Sequence, residues 1–152
     1  MAIDVSVTTR IGRLPRDVFA ALVAVERFPE WLIASGIVGV DRAGADAPIA
    51  VGSRLTIRQV VAGRATVVDA EVTALAPDAT FAVRGRDPDG VTIQFDAGLT
   101  PDGDLATTLR WSVRIGLPLK YRMFESMVAP QARRAATLDV GALKRRLESI
   151  AT

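Results

Sequence analysis

Few side chains in this sequence could carry out acid–base or nucleophilic chemistry. Its 152 residues include no His and no Cys, although His is the commonest general base and the commonest metal ligand. Nucleophilic catalysis by a Ser–His or Cys–His pair is therefore excluded. A zinc site would have to be built from carboxylates alone, which is an unusual ligand set. We expect neither a metal nor a cofactor.

The remaining candidates for chemistry lie near the start of the last predicted helix: Tyr121, Glu125, Gln131 and Arg134. A carboxylate there could accept a proton, and a phenol or a guanidinium could stabilise a developing oxyanion. No pair of these residues has a spacing that demands such a role, and exposure at the surface is the simpler explanation of each. The sequence leaves open whether the protein is an enzyme, and we assign no catalytic residue.

The segments that would position these residues are mostly strands with alternating apolar and polar side chains. Ile3, Val5 and Val7 share one face of the first segment, as a half-buried strand requires. Hairpin signals such as residues 87–90 separate later segments, and strands with one polar face are typical of an antiparallel sheet. The later segments cover residues 37–40, 54–61, 68–74, 81–86, 91–99 and 105–115.

Helical spacing is found after the first strand and at the end of the chain. Pro15 suits the first turn of a short helix, and a second short helix is predicted over residues 29–34, ended by Gly36. Residues 119–150 carry a broad apolar stripe that predicts one long helix. Pro130 interrupts the stripe, so this helix either starts or kinks there.

Five short motifs resemble those of the START-related helix-grip (SRPBCC) superfamily. They are Pro-Arg-Asp-Val-Phe at 15–19, Phe-Pro-Glu-Trp at 28–31, Val-Gly-Ser-Arg at 51–54, Thr-Thr-Leu-Arg-Trp at 107–111 and Leu-Lys-Arg-Arg-Leu-Glu at 143–148. The resemblance covers nearly the whole chain and is closest to the bacterial polyketide cyclase/dehydrase and lipid-transport group. It implies a single domain over residues 1–152 with an α+β helix-grip fold. In that fold a curved antiparallel sheet of about seven strands surrounds a long C-terminal helix, with two short helices after the first strand.

Proteins of this superfamily hold a cavity between the sheet and the long helix, so the resemblance implies an internal cavity here. The inward sheet face is almost wholly apolar, with Gln59 and, to a lesser degree, Thr107 as exceptions. A ligand oxygen could bond Gln59, although backbone or water is the simpler partner. Trp31 and Trp111 could stack on a ligand ring or belong to the core. The expected cavity lining comprises Trp31, Leu55, Ile57, Gln59, Val72, Phe81, Ile93, Phe95, Leu109, Trp111, Met127, Gln131 and Ala135.

Three functions remain open at this point. The first is binding or carrying a small hydrophobic molecule, such as a lipid, a polyketide or an isoprenoid-like compound. The second is a polyketide cyclase or aromatase, which requires a titratable group such as Tyr121, Glu125 or Arg134 inside the cavity. The third is a co-chaperone-like interaction domain, which predicts little cavity and a contiguous exposed apolar patch.

Composition also bears on partners and location. Arg accounts for 17 of the 19 basic residues, but these are scattered among 17 acidic residues, so we expect no nucleic-acid partner. No apolar run approaches the roughly 18–20 residues of a membrane-spanning helix, and the first residues lack the pattern of a signal peptide. We therefore expect a cytoplasmic protein that is a monomer or a homodimer.

Overall fold

Residues 2–150, which the computed structural model describes, form a seven-stranded antiparallel sheet with helices on one side. The strands follow the sheet order β1-β7-β6-β5-β4-β3-β2, so every neighbouring pair except β1 and β7 is a sequential hairpin. This arrangement confirms the predicted α+β helix-grip fold. The strands are β1 (Ala2–Ile11), β2 (Ile37–Arg42), β3 (Arg54–Val61), β4 (Arg64–Ala76), β5 (Thr80–Arg86), β6 (Thr92–Asp102) and β7 (Ala106–Gly116).

Two short helices follow β1, as predicted, but the second lies earlier than expected. Helix α1 spans Pro15–Val23, and a 3₁₀ helix spans Val25–Glu30 rather than residues 29–34. Val25 and Phe28 are both buried, at 0% and 1% exposure. Because side chains three residues apart eclipse in a 3₁₀ helix, this spacing buries both on one side.

The alternating strand pattern is explained by the register of the sheet. Phe95 lies opposite Val113, and Leu99 lies opposite Leu109, on the face that the helices cover. Residues at the alternate positions, such as Arg110 and Arg114, lie on the opposite, outer face. On this outer face the carboxylate of Asp4 accepts a hydrogen bond from Arg114 at 2.9 Å.

The connection from the first 3₁₀ helix to β2 requires a glycine at one position. Gly36 has a φ of +78°, a left-handed conformation that residues with a Cβ avoid. A Cβ at this position would also collide with the carbonyl oxygen of Val60. The backbone N–H of Val60 donates to the carbonyl of Gly36 at 2.8 Å, so this loop is fixed against β3.

The chain ends in a second 3₁₀ helix, Leu119–Phe124, and in α2, Glu125–Ser149. Pro130 lies inside α2, so the helix starts before Pro130 and not at it. Among the helices of residues 2–150, none combines the length and apolar character that crossing a bilayer requires. Helix α2 packs mainly on β1, and the residues of α2 buried there are Ala136, Asp139, Val140, Leu143 and Leu147.

Candidate functional site

A small space lies on the inner face of the sheet, at the end formed by β2 to β6. Its volume is about 10 Å³, which is room for roughly one water molecule. Gln59 is the one polar side chain among the described lining residues. The lining consists of Ile37, Ile57, Gln59, Val68, Ala70, Val83, Gly85, Ile93 and Phe95.

Small residues in the middle strands shape this cavity. Gly85 in β5 lies opposite Ala70 in β4, so at this pair neither strand contributes a side chain larger than a methyl group. A Cβ on Gly85 would approach Val68 Cγ1 to 2.5 Å and the Cβ of Ala70 to 2.9 Å. The wall is therefore closely packed around a position that tolerates no side chain, and the space ends there.

Four aromatic rings continue the core from the cavity toward the first 3₁₀ helix. Phe95 stacks on Trp111 with a centroid distance of 5.4 Å. Trp111 meets Trp31 edge-on at 5.2 Å, and Trp31 meets Phe28 in the same way at 5.9 Å. Such pairs contribute about 0.5–1.5 kcal/mol each beyond the area that they bury. The two tryptophans thus belong to the core cluster beside the cavity.

A buried polar network connects α2, the loop before β2 and β3. The Asp139 carboxylate accepts hydrogen bonds from the backbone N–H of Ala34 at 2.7 Å and of Ser35 at 3.1 Å. It also accepts one from the Ser35 hydroxyl at 2.6 Å. The carbonyl of Ser35 accepts a hydrogen bond from Gln59 Nε2 at 2.8 Å. Gln59 therefore bonds backbone, which was the simpler of its two interpretations.

Burial raises the pKa of the Asp139 carboxyl, and the hydrogen bonds from Ser35 and Ala34 oppose that rise only in part. Asp139 is only 1% exposed, and sequence reasoning did not single it out. One signal could have found it, because Asp139 lies three residues after Ala136 and four before Leu143. A carboxylate on the buried stripe of a helix must find partners on the element that it faces.

The predicted lining residues fall into three groups. Ile57, Gln59, Ile93 and Phe95 border the cavity. Leu55, Val72, Phe81, Leu109 and Trp111 are buried in the surrounding core. Trp31 is in the core as well but also lines a groove on the outside of the molecule, between α1 and α2. Thr107 is buried, and its hydroxyl donates to the carbonyl of Arg13 at 2.7 Å.

The third group, from helix α2, needs a correction. Met127 is 62% exposed and Gln131 is also exposed, so both lie on the outer side of the helix instead of facing the sheet. Ala135 is half-buried. The side chains of this half of α2 that pack against the core are instead Val128, Ala129 and Ala132.

The polar residues at the start of α2 do not enter the cavity either. Tyr121 and Glu125 are half-buried and Arg134 is exposed, and none of them borders the space under the sheet. The same region carries an exposed apolar surface. It consists of Leu119, Met123, Phe124 and Met127, which are 80%, 79%, 43% and 62% exposed.

A long helix gripped by a seven-stranded antiparallel sheet defines the class of protein. The model of the polyketide cyclase/dehydrase and lipid transport family matches residues 2–148. The chain belongs to this family. No curated protein matches the chain in sequence.

Solved structures agree with this assignment at the level of the fold. A START superfamily protein from Mycobacterium smegmatis superposes with a TM-score of 0.78 at 18% identity, over 97% of this chain and 99% of that chain. The ZhuI aromatase/cyclase from Streptomyces sp. R1128 has a TM-score of 0.78 at 13% identity, over 97% and 94%. A truncated norcoclaurine synthase from Thalictrum flavum has a TM-score of 0.71 at 10% identity, over 99% and 96%. At such identities the likeness shows the shared fold alone.

Proposed function

We propose that the protein binds a small hydrophobic molecule between the inner face of the sheet and the N-terminal half of α2. The observation that carries this proposal is the apolar inner face of the sheet at β2 to β6. Of the described lining residues only Gln59 is polar, and its amide is already engaged with Ser35. A lipid, a polyketide or an isoprenoid-like compound suits such a surface, because burying its apolar area is the main gain in free energy.

The small volume of the cavity requires that the space widen when a ligand enters. The N-terminal half of α2 packs on the core only through Val128, Ala129 and Ala132, all partly exposed. Moving this half outward would expose little buried surface, whereas moving β3 or β4 would break the sheet. Ligand entry by displacement of the N-terminal half of α2 is therefore the least costly route.

The structure gives less support to catalysis than to binding. A cyclase or aromatase needs a group that can donate or accept a proton next to its substrate, and the described cavity lining holds no titratable side chain. The buried carboxyl of Asp139 is directed to the backbone of Ala34 and Ser35. Carrying a ligand without chemistry thus remains the first function that we propose, and cyclisation is the alternative.

Native mass spectrometry of the freshly purified protein tests the proposal. We expect a discrete added mass, and extraction should yield a hydrophobic compound. Val68→Phe, on the cavity side of β4, should abolish the added mass. Val67→Phe is the matched control. Val67 is the neighbour of Val68 in the strand, but its side chain is 47% exposed on the opposite face of the sheet. If Val68→Phe does not fold, Ala70→Val provides a milder block. A clean apo mass together with no thermal shift across lipid and polyketide panels would overturn the proposal.

A second candidate function is supported by the exposed apolar surface of Leu119, Met123, Phe124 and Met127. Several exposed apolar side chains close together in the chain are typical of an interaction site, and a second copy of the chain is the partner that we propose to test. Sedimentation velocity over a range of protein concentrations tests this proposal. A dimer that dissociates in the Met123→Gln/Met127→Gln variant would support it, and a monomer at every concentration would contradict it.

A further inference from the structure

A groove on the outside of the molecule, separate from the cavity under the sheet, has the features of a second binding site. It lies between α1, the first 3₁₀ helix and the C-terminal half of α2, with a volume of about 470 Å³. Small-molecule sites commonly occupy clefts of roughly 300–1,000 Å³. Its described lining consists of Arg13, Asp17, Ala20, Ala21, Ala24, Arg27, Trp31, Leu143, Arg146, Leu147, Ser149 and Ile150.

The floor of the groove is apolar, and one of its sides consists of small side chains. Ala20, Ala21 and Ala24 provide three small side chains along α1 and its end, and Leu143 and Leu147 face them from α2. Small side chains on one helix leave space that two closely packed helices would otherwise fill. The groove can therefore hold the apolar body of a ligand.

Trp31, one of the residues that line the groove, carries a hydrogen-bond donor that is not in use. The residue is only 2% exposed, and its indole N–H has no hydrogen-bond partner within residues 2–150. A buried donor without a partner costs about 1–3 kcal/mol, so buried Trp side chains usually find an acceptor. An acceptor atom on a bound molecule would remove this cost.

The rim of the groove carries an excess of positive charge. Arg13, Arg27 and Arg146 line it together with one carboxylate, Asp17. Asp17 lies 3.6 Å from Arg13, and Glu30 lies 2.6 Å from Arg146 and 3.4 Å from Arg27. Three guanidiniums thus face two carboxylates, which leaves a single uncompensated positive charge. Because Arg27 and Arg146 share one carboxylate, each keeps N–H groups free to bind an anion.

We propose that this groove binds a small carboxylate with an apolar body, such as an arylalkanoic acid. The carboxylate lies between Arg27 and Arg146, and the apolar body covers the alanines of α1. An oxygen of the ligand accepts a hydrogen bond from Trp31 Nε1. One negative charge matches the one uncompensated guanidinium, and guanidinium groups bind carboxylates through two parallel hydrogen bonds. This proposal does not depend on a ligand under the sheet.

Titration of ¹⁵N-labelled protein with 4-phenylbutyrate tests the proposal by NMR. The sequence contains two Trp residues, so two indole N–H signals are expected, and Trp31→Phe identifies that of Trp31. We expect this signal to move downfield in a saturable way, while the side-chain amide of Gln59 stays unchanged. The methyl ester of the same acid should bind at least about tenfold more weakly, because it lacks the charge.

Two arginines of α2 provide a matched pair for the same titration. Arg146→Gln should weaken binding of 4-phenylbutyrate about tenfold, whereas Arg145→Gln should not, because Arg145 is exposed outside the groove. Ala20→Phe should block the site from the solvent side. The proposal is overturned if the ester binds as well as the acid, if both Gln variants weaken binding equally, or if Gln59 responds in place of Trp31.

Discussion

The two halves of α2 are attached to the rest of the molecule very differently. In the C-terminal half, Asp139, Val140 and Leu143 are at most 2% exposed, and Asp139 bonds the loop before β2. In the N-terminal half, apolar side chains such as Met127 lie in solvent. The C-terminal half of α2 therefore contributes more to the stability of the fold than the N-terminal half, which is the more weakly attached of the two.

Truncating one side chain in each half of α2 should give the largest difference in the free energy of unfolding. Leu143→Ala should lower the free energy of unfolding by about 2–5 kcal/mol, because it leaves a cavity in the packed core. Met127→Ala should change it by no more than about 0.5 kcal/mol, since most of this side chain is already in water. Urea denaturation of both variants measures the difference. Equal losses would show that the two halves are attached alike.

Removing the buried carboxylate should produce the next largest effect. Asp139→Ala leaves the backbone N–H groups of Ala34 and Ser35 without their acceptor, at a cost of about 1–3 kcal/mol in unfolding free energy. Thr137→Ala is the matched control, because Thr137 is exposed and its hydroxyl bonds only the carbonyl of Arg133 in the same helix. A control variant that loses as much stability as Asp139→Ala would argue against the network.

The same carboxylate should make stability depend on pH. Burial raises its pKa in the folded state above the ordinary value of 3.8, so the folded protein holds this proton more tightly than the unfolded chain. The contribution of Asp139 to the free energy of unfolding should therefore be greatest below about pH 4 and decline as pH rises through the raised pKa. Subtracting the pH profile of Asp139→Asn isolates this contribution. A difference that grows with pH would contradict the assignment.

The smallest expected effect concerns Pro130, which lacks the N–H that would bond the preceding turn. Pro130→Ala should restore this hydrogen bond and slow amide hydrogen exchange in the N-terminal half of α2 several-fold. Exchange at Val140 and Leu143 should stay unchanged, because that half is already held by its packing. Equal slowing along the whole helix would mean that the two halves open together.

The fold could be predicted because two independent signals in the sequence mark each strand. Each has apolar residues on alternate positions, and hairpin signals such as residues 87–90 separate them. The register that places Phe95 opposite Val113 follows from both. The exact position of the second short helix could not be predicted, because Phe-Pro at 28–29 is compatible with either a helix start or a 3₁₀ turn.

The face of α2 that packs against the sheet was harder to predict than the presence of the helix. Apolar residues occur on more than one side of its N-terminal half, so the pattern does not choose between Met127 and Val128 as the inward residue. The buried stripe of Ala136, Val140, Leu143 and Leu147 makes the choice when it is extended backward to Ala132 and Val128. The groove that includes Trp31 has no sequence signal, since it depends on how two helices pack.

The contact between the two tryptophans has a spectroscopic consequence. Trp31 and Trp111 are the only indoles in the chain, and their rings lie 5.2 Å apart in the core. Tryptophan fluorescence, excited at wavelengths that tyrosine does not absorb, therefore comes from one closely spaced, water-shielded pair. This signal reports whether the first 3₁₀ helix is seated on the sheet. It is blind to motion at the start of α2, where the aromatic residues are Tyr121 and Phe124.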